Sequence, residues 1–202
     1  MDSKIIEHLS GDPVLGSIME HVSLPEVDSD NDIYLNLLSS IVSQQLSMKV
    51  ARVIFDRFIN LFPECNPSPE RLLEIDTEEL RGCGLSYQKA GYLKNIAEHW
   101  IRHHGKGMRD WLVMSDDEII ADLTTIKGVG KWTVQMILMF RLGRLDVFPI
   151  DDLGIRQGMI KMYNLGELKG KPLLSELTRI SEQWTPYRSV ACMYVWRYKD
   201  GE

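Results

Sequence analysis

The chain has 202 residues, 44% hydrophobic and 26% charged, enough apolar material for a buried core and far from the balance of a disordered polymer. It has no run of 18 apolar residues, and its start, Met1-Asp-Ser-Lys-Ile-Ile-Glu-His8, lacks the basic, apolar, small-residue order of a secretory signal. Neither membrane insertion nor secretion is expected, so the protein is placed inside the cell, in the cytoplasm of a prokaryote or the nucleus of a eukaryote.

Apolar residues recur at three- and four-residue spacing with no clean alternation, which predicts an all-α chain of about nine or ten helices. From Ile33 to Leu61 the pattern fits one or two consecutive helices, the second capped by Ser47. Pro67-Ser-Pro-Glu70 starts a short helix with Pro69 at its first position, and Asp76-Thr-Glu-Glu79 starts another that runs to Gly82 and Gly84. Ser86 opens a helix through Trp100, Gly105-Lys-Gly107 is a loop, and Ser115-Asp-Asp-Glu118 has capping-box spacing. A helix is expected over Lys131–Leu142, another from Asp151 or Asp152, and a last one from Thr185-Pro186 to about Tyr198.

The stretch with chemical content is Leu123-Thr-Thr-Ile-Lys-Gly-Val-Gly-Lys-Trp-Thr-Val-Gln-Met-Ile-Leu-Met139. One helix ends, Gly128 and Gly130 make a tight turn, and a second helix begins at Lys131. Glycines there allow positive φ and keep side chains out of the turn, so backbone N–H groups can approach a phosphate, with Lys127 and Lys131 alongside. This is a helix-hairpin-helix, a grip on a nucleic-acid backbone that positions without specifying. The net charge of −6 does not oppose it. Residues 1–80 hold fifteen acidic against five basic side chains and the remainder fourteen against eighteen, so the second part can present an anion-binding face.

Twenty residues on, the chain reads Leu145-Asp-Val-Phe-Pro-Ile-Asp-Asp-Leu-Gly-Ile-Arg-Gln157. Taken alone, Asp151 or Asp152 is a helix cap. Together, Gly-Val-Gly-Lys-Trp-Thr133 and Val147-Phe-Pro-Ile-Asp-Asp-Leu-Gly-Ile-Arg156 resemble the signature of the helix-hairpin-helix base-excision DNA glycosylases, closest to the alkylated-base branch, 3-methyladenine DNA glycosylase II. Asp12-Pro-Val-Leu15, Ile41-Val-Ser-Gln-Gln-Leu-Ser47, Gly84-Leu-Ser-Tyr-Gln-Lys-Ala90, Trp184-Thr-Pro-Tyr-Arg-Ser189 and Trp196 are similar to family landmarks in family order.

The resemblance implies a two-lobed helical fold with a cleft between the lobes: a central lobe over 33–144, with the hairpin at about 115–142, and a second lobe from 1–32 and 145–202. It puts the catalytic carboxylate on Asp152, where it would stabilise an oxocarbenium-like deoxyribose while an alkylated base leaves. Bifunctional relatives have a Schiff-base lysine just after the hairpin; Trp132 stands there, so a monofunctional enzyme is implied. Trp132 and Trp196, with Met136 one turn on, are the candidates for a pocket receiving a flipped base. The backbone-contacting set is Lys127, Gly128, Val129, Gly130, Lys131 and Thr133, joined by Ser86, Lys89 and Arg188. The loop Gln44-Gln45-Leu46 is the candidate wedge into the duplex, with Gln45 and Leu46 both open for that role.

Family hairpins can hold a monovalent cation on backbone carbonyls, here those of Ile126 and Val129; no metal site formed by side chains is expected. An iron-sulfur cluster is not expected either, since Cys192 is the only C-terminal cysteine. With Cys65 and Cys83 it is read as reduced and mostly buried. The partner is double-stranded DNA with damaged bases, and a monomer is expected. A glycosylase for deaminated or mismatched bases, and a helix-hairpin-helix module without catalysis, are the alternatives.

Other features are discounted. His99 and His103 have zinc-compatible i, i+4 spacing, with His104 adjacent, but the sequence shows no third ligand beside them. Met136, Met139, Met159 and Met162 read as core, Gly105-Lys-Gly107 is too short for a phosphate loop, and Glu26–Asp32 reads as a solvated loop.

Overall fold

A computed structural model describes residues 2–24, 32–103 and 108–201; His104, the 105–107 loop and most of the acidic run 26–32 lie outside them. The described residues are helical and contain no strand. Thirteen α-helices follow one another: α1 (Ser3–Leu9), α2 (Pro13–Met19), α3 (Ile33–Ser43), α4 (Met48–Ile59), α5 (Pro69–Glu74), α6 (Thr77–Gly82), α7 (Tyr87–Arg102), α8 (Met108–Val113), α9 (Asp116–Leu123), α10 (Lys131–Phe140), α11 (Leu153–Met162), α12 (Gly170–Glu182) and α13 (Arg188–Asp200). Among the described residues one 3-10 turn, Pro63–Cys65, lies between α4 and α5. The number exceeds the expected nine or ten: the short α1, α2 and α8, and the longer α12, have no counterpart among the helices expected from the sequence.

Local signals fix most helix starts. Asp12, Asp32, Ser68, Asp76, Ser86 and Asp152 each accept a hydrogen bond from the first turn of the helix that follows. Ser115 and Glu118 make a reciprocal capping box. Such a cap is worth about 1 kcal/mol. Two expectations need correction: Ser47 precedes α4 without a side-chain cap bond, and the last helix starts at Arg188, beyond Pro186.

The chain divides into two compact units, Asp30–Ile137 and Met1–Ser29 with Leu138–Glu202, so the division falls within α10. In the first unit α7 packs against α3, α5 and α6. Its core holds Leu37, Leu38, Ile41, Phe58, Leu72, Leu80, Leu93, Ile96 and Ile119, all fully buried. Truncating one of these leucines to Ala should cost about 2–5 kcal/mol. In the second unit α13 packs against α11 and α2. Gly158 allows the first of these contacts: a Cβ there would lie 2.5 Å from Val195 Cγ1 and 3.0 Å from the Val195 carbonyl oxygen.

Asp12 organises the rest of the second unit. Its Oδ1 caps α2, while Oδ2 accepts the Tyr163 hydroxyl at 2.6 Å and the Trp184 indole N–H at 3.0 Å. Trp184 is fully buried, and burial together with the Asp12 contact keeps the Tyr163 hydroxyl protonated. Met139, Met159 and Met162 are core, as read from the sequence, whereas Met136 is half-buried. All three cysteines are free, with Cys65 exposed and the other two buried.

Candidate nucleic-acid interface and catalytic carboxylate

The hairpin joins α9 to α10. Val129 N–H donates to the Ile126 carbonyl at 3.0 Å, closing the turn, and Val134 N–H donates to the Gly130 carbonyl at 3.2 Å as α10 begins. Gly128 has φ +109°, and a Cβ on it would lie 2.3 Å from Tyr92 Cγ, so both conformation and space demand glycine. Gly130 differs from expectation. It does not adopt positive φ, and a Cβ there would meet nothing within 4 Å; its lack of a side chain leaves room outside the fold.

Side-chain directions separate the candidate hairpin contacts. Lys127, Gly130, Lys131 and Trp132 are exposed, Trp132 to 47%. Ile126, Val129 and Thr133 are turned inward at 3%, 5% and 5% exposure. Thr133 therefore does not present its side chain to a phosphate, because it lies on the buried side of the first turn of α10. Ile126 and Val129 can serve only through their backbone.

The wedge candidate loop is fastened to this hairpin. Gln44 ends α3 and its side-chain amide donates to the Gly128 carbonyl at 3.3 Å. Lys89 does not point outward: its ammonium donates to the Val42 and Gln44 carbonyls, both at 2.8 Å, closing the C-terminal end of α3. Burial lowers its pKa. Ser86 likewise serves the fold, its hydroxyl oxygen accepting the Lys89 N–H at the start of α7. Between these anchors Gln45 sits exposed at φ +59°, a conformation a non-glycine residue holds at a cost of about 1–3 kcal/mol. Leu46 follows at 37% exposure. The sequence missed Asn95, whose amide donates to the Lys127 carbonyl at 3.1 Å, and Tyr92, which fills the space beneath Gly128.

The second unit holds the carboxylate. Asp152 is the N-cap of α11: its Oδ1 accepts the Ile155 N–H at 2.8 Å and the Trp196 indole N–H at 2.9 Å. Trp196 lies on α13, its ring 5.9 Å from that of Phe140. Gly154 makes this grouping possible, since a Cβ there would lie 3.0 Å from Asp152 Oδ1 and from two atoms of the Trp196 indole. Asp151 takes a different part. It is exposed and accepts from the Arg156 guanidinium at 2.7 Å. The half-buried aspartate held by a helix start and an indole is thus Asp152.

Cys192 is buried nearby, and burial together with the Asp152 charge pushes its thiol up, so it stays neutral. Arg188 forms a bidentate pair with Asp146, at 2.7 and 2.9 Å, and also donates to the Asp146 carbonyl at 3.2 Å. Its charge is answered within the fold, and it braces the segment ahead of Asp152. Ser189 adds to the brace, its oxygen accepting the Val147 N–H at 2.9 Å and its hydroxyl donating to the Arg144 carbonyl at 2.7 Å.

The sequence matches the family model of HhH-GPD superfamily base excision DNA repair proteins over residues 38–185. DNA-3-methyladenine glycosylase 1 of Schizosaccharomyces pombe is 38% identical over 165 residues, covering 81% of this chain and 71% of the relative. A solved structure of the 3-methyladenine DNA glycosylase of that organism, in complex with abasic DNA, matches at TM-score 0.82 and 34% identity over 98% of this chain and 97% of that one. The DNA-3-methyladenine glycosidase of Bacillus halodurans matches at TM-score 0.85 and 32% identity, over 99% and 90% of the two chains. The matched region takes in both the hairpin and the aspartate that caps α11, and the chain belongs to the HhH-GPD superfamily of base excision DNA repair proteins.

Proposed function

We propose that this protein is a monofunctional DNA glycosylase that hydrolyses the N-glycosidic bond of alkylated bases, of the 3-methyladenine and 7-methylguanine type, in double-stranded DNA. The observation that carries the reading is Asp152, a half-buried carboxylate fixed through one oxygen by the Ile155 N–H and the Trp196 indole. Relatives that share a third or more of the sequence are named for 3-methyladenine excision.

The chemistry follows from charge. As the base leaves, positive charge builds on the deoxyribose; a preorganised carboxylate stabilises that charge, and water completes the hydrolysis. An alkylated purine already carries positive charge and departs without a strong general acid. The residue following Lys131 is Trp132, so no lysine stands at the position from which bifunctional relatives form a Schiff base. Binding rests on the N–H groups of Gly128 and Gly130 and of the start of α10, the Val129 N–H being held by the Ile126 carbonyl, with Lys127 and Lys131 adding charge. A monovalent cation on the Ile126 and Val129 carbonyls would add further positive charge opposite a phosphate. Gln45 or Leu46 fills the gap left by the extruded nucleotide, and Trp196, beside Asp152, receives the base.

The test is release of free base from methylated duplex DNA by the wild type and by Asp152→Asn, with strand nicking followed in the same reaction without alkali. Release by the wild type alone, without nicking, is expected. Release of deaminated or mismatched bases instead would reassign the substrate class. DNA binding without any release would leave a binding module.

A further inference from the structure

A second group of titratable side chains lies apart from Asp152, at the end of α7. His99 and His103 are one turn apart with their rings stacked, centroids 4.2 Å from each other. The fold brings Asp122 of α9 against them, its Oδ2 3.6 Å from His99 Nε2. One ligand atom from each of the three lies within 4.8 Å of the others. The third ligand that the sequence did not show beside the histidines is thus supplied from another helix.

The donor set is chemically specific. Two imidazoles and one carboxylate suit zinc and its neighbours, and three protein ligands leave a fourth position for water. Zinc bonds of about 2.0–2.2 Å place ligand atoms of a tetrahedron roughly 3.3–3.6 Å apart. The His99–Asp122 separation already meets that spacing, and rotation of the exposed His103 side chain closes the triangle. The indoles of Trp100 and Trp111 wall the same small pocket.

We infer that His99, His103 and Asp122 form a binding site for a divalent transition-metal ion of the zinc class, which fastens the end of α7 to the end of α9. Its location gives it a consequence for the hairpin. The Asp122 carbonyl accepts both the N–H and the hydroxyl of Thr125, at 3.2 and 2.6 Å, as the chain leaves α9. A neighbouring pocket is lined by His99, His103, Thr125, Ile126 and Lys127. The ion would therefore tie the first helix of the hairpin to the helix that already supports the turn through Tyr92 and Asn95.

The test uses the full chain without a histidine tag, freed of metal by chelation, and titrated with Zn²⁺ by calorimetry and with Co²⁺ by visible absorption. One equivalent of Zn²⁺ is expected to bind, with a d–d band for Co²⁺. At about a hundredfold excess over Kd, Tm should rise by about 5–10 °C. Losing even an outer partner of a metal ligand costs about 10–100-fold in affinity, so His103→Ala and Asp122→Asn should each weaken Zn²⁺ binding at least about tenfold. His103 is exposed, and the metal-free variant is expected to melt as the wild type does. Cys65→Ser, which removes the exposed thiol, should change nothing. No saturable binding, binding that survives His103→Ala, or binding lost with Cys65 would overturn the site and leave His99 and Asp122 as an ion pair.

Discussion

Asp12 and Asp152 are built alike and are used differently. Each is an N-cap, and each accepts the indole N–H of a tryptophan far along the chain, Trp184 for Asp12 and Trp196 for Asp152. Asp12 is 6% exposed and spreads its bonds over both oxygens, adding the Tyr163 hydroxyl. Asp152 takes its cap bond and its indole on Oδ1, stays half-buried, and has Gly154 beside it where a side chain would crowd the pair. The same capping grammar therefore gives a closed-in structural knot at Asp12 and, at Asp152, a carboxylate that is held but half-buried, as the proposed catalytic role requires. Exposure, more than residue type, separates the two aspartates.

The largest expected effect tests this directly. Asp152→Asn should lower single-turnover base release by about 10²–10³-fold, the loss seen when one preorganised electrostatic stabiliser is removed, while DNA affinity and Tm stay close to wild type. A large drop in Tm would make Asp152 a second Asp12.

Asp12→Ala should reverse the pattern. It removes a cap and strands one buried and one part-buried donor, for a stability loss of about 3–4 kcal/mol read in denaturant unfolding, with base release retained wherever the variant is folded. Loss of release in the folded variant would break the distinction. Trp196→Phe keeps most of the ring and deletes the donor to Asp152. Release should fall about tenfold, equivalent to 1.4 kcal/mol, without loss of DNA binding. The smallest effect is reserved for the hairpin: Lys131→Ala should reduce the salt slope of DNA binding by about 1 and leave the release rate of bound substrate unchanged. An unchanged slope would remove Lys131 from the grip.

Much of this was legible along the chain, and the limits have physical causes. Capping residues act over three or four positions, so Ser68, Asp76, Ser86 and Ser115 announced their helices. The hairpin was equally readable, because a turn that needs positive φ selects glycine at Gly128. Lys89, Arg188 and Thr133 were not, since whether a polar side chain serves DNA or the fold depends on which carbonyl, carboxylate or core lies opposite it. Lys89 closes α3, Arg188 pairs with Asp146, and Thr133 faces inward.

The sequence by itself determined the helical class, the hairpin and the pair of adjacent aspartates, because these follow from periodicity, turn chemistry and short-range spacing. Tertiary structure gave Asp151 and Asp152 different surroundings, Arg156 for one and for the other Trp196, 44 positions away. It likewise decided that His99 and His103 meet Asp122. Such choices rest on contacts between residues distant in sequence, which local propensity does not encode and only the packing of helices against one another creates.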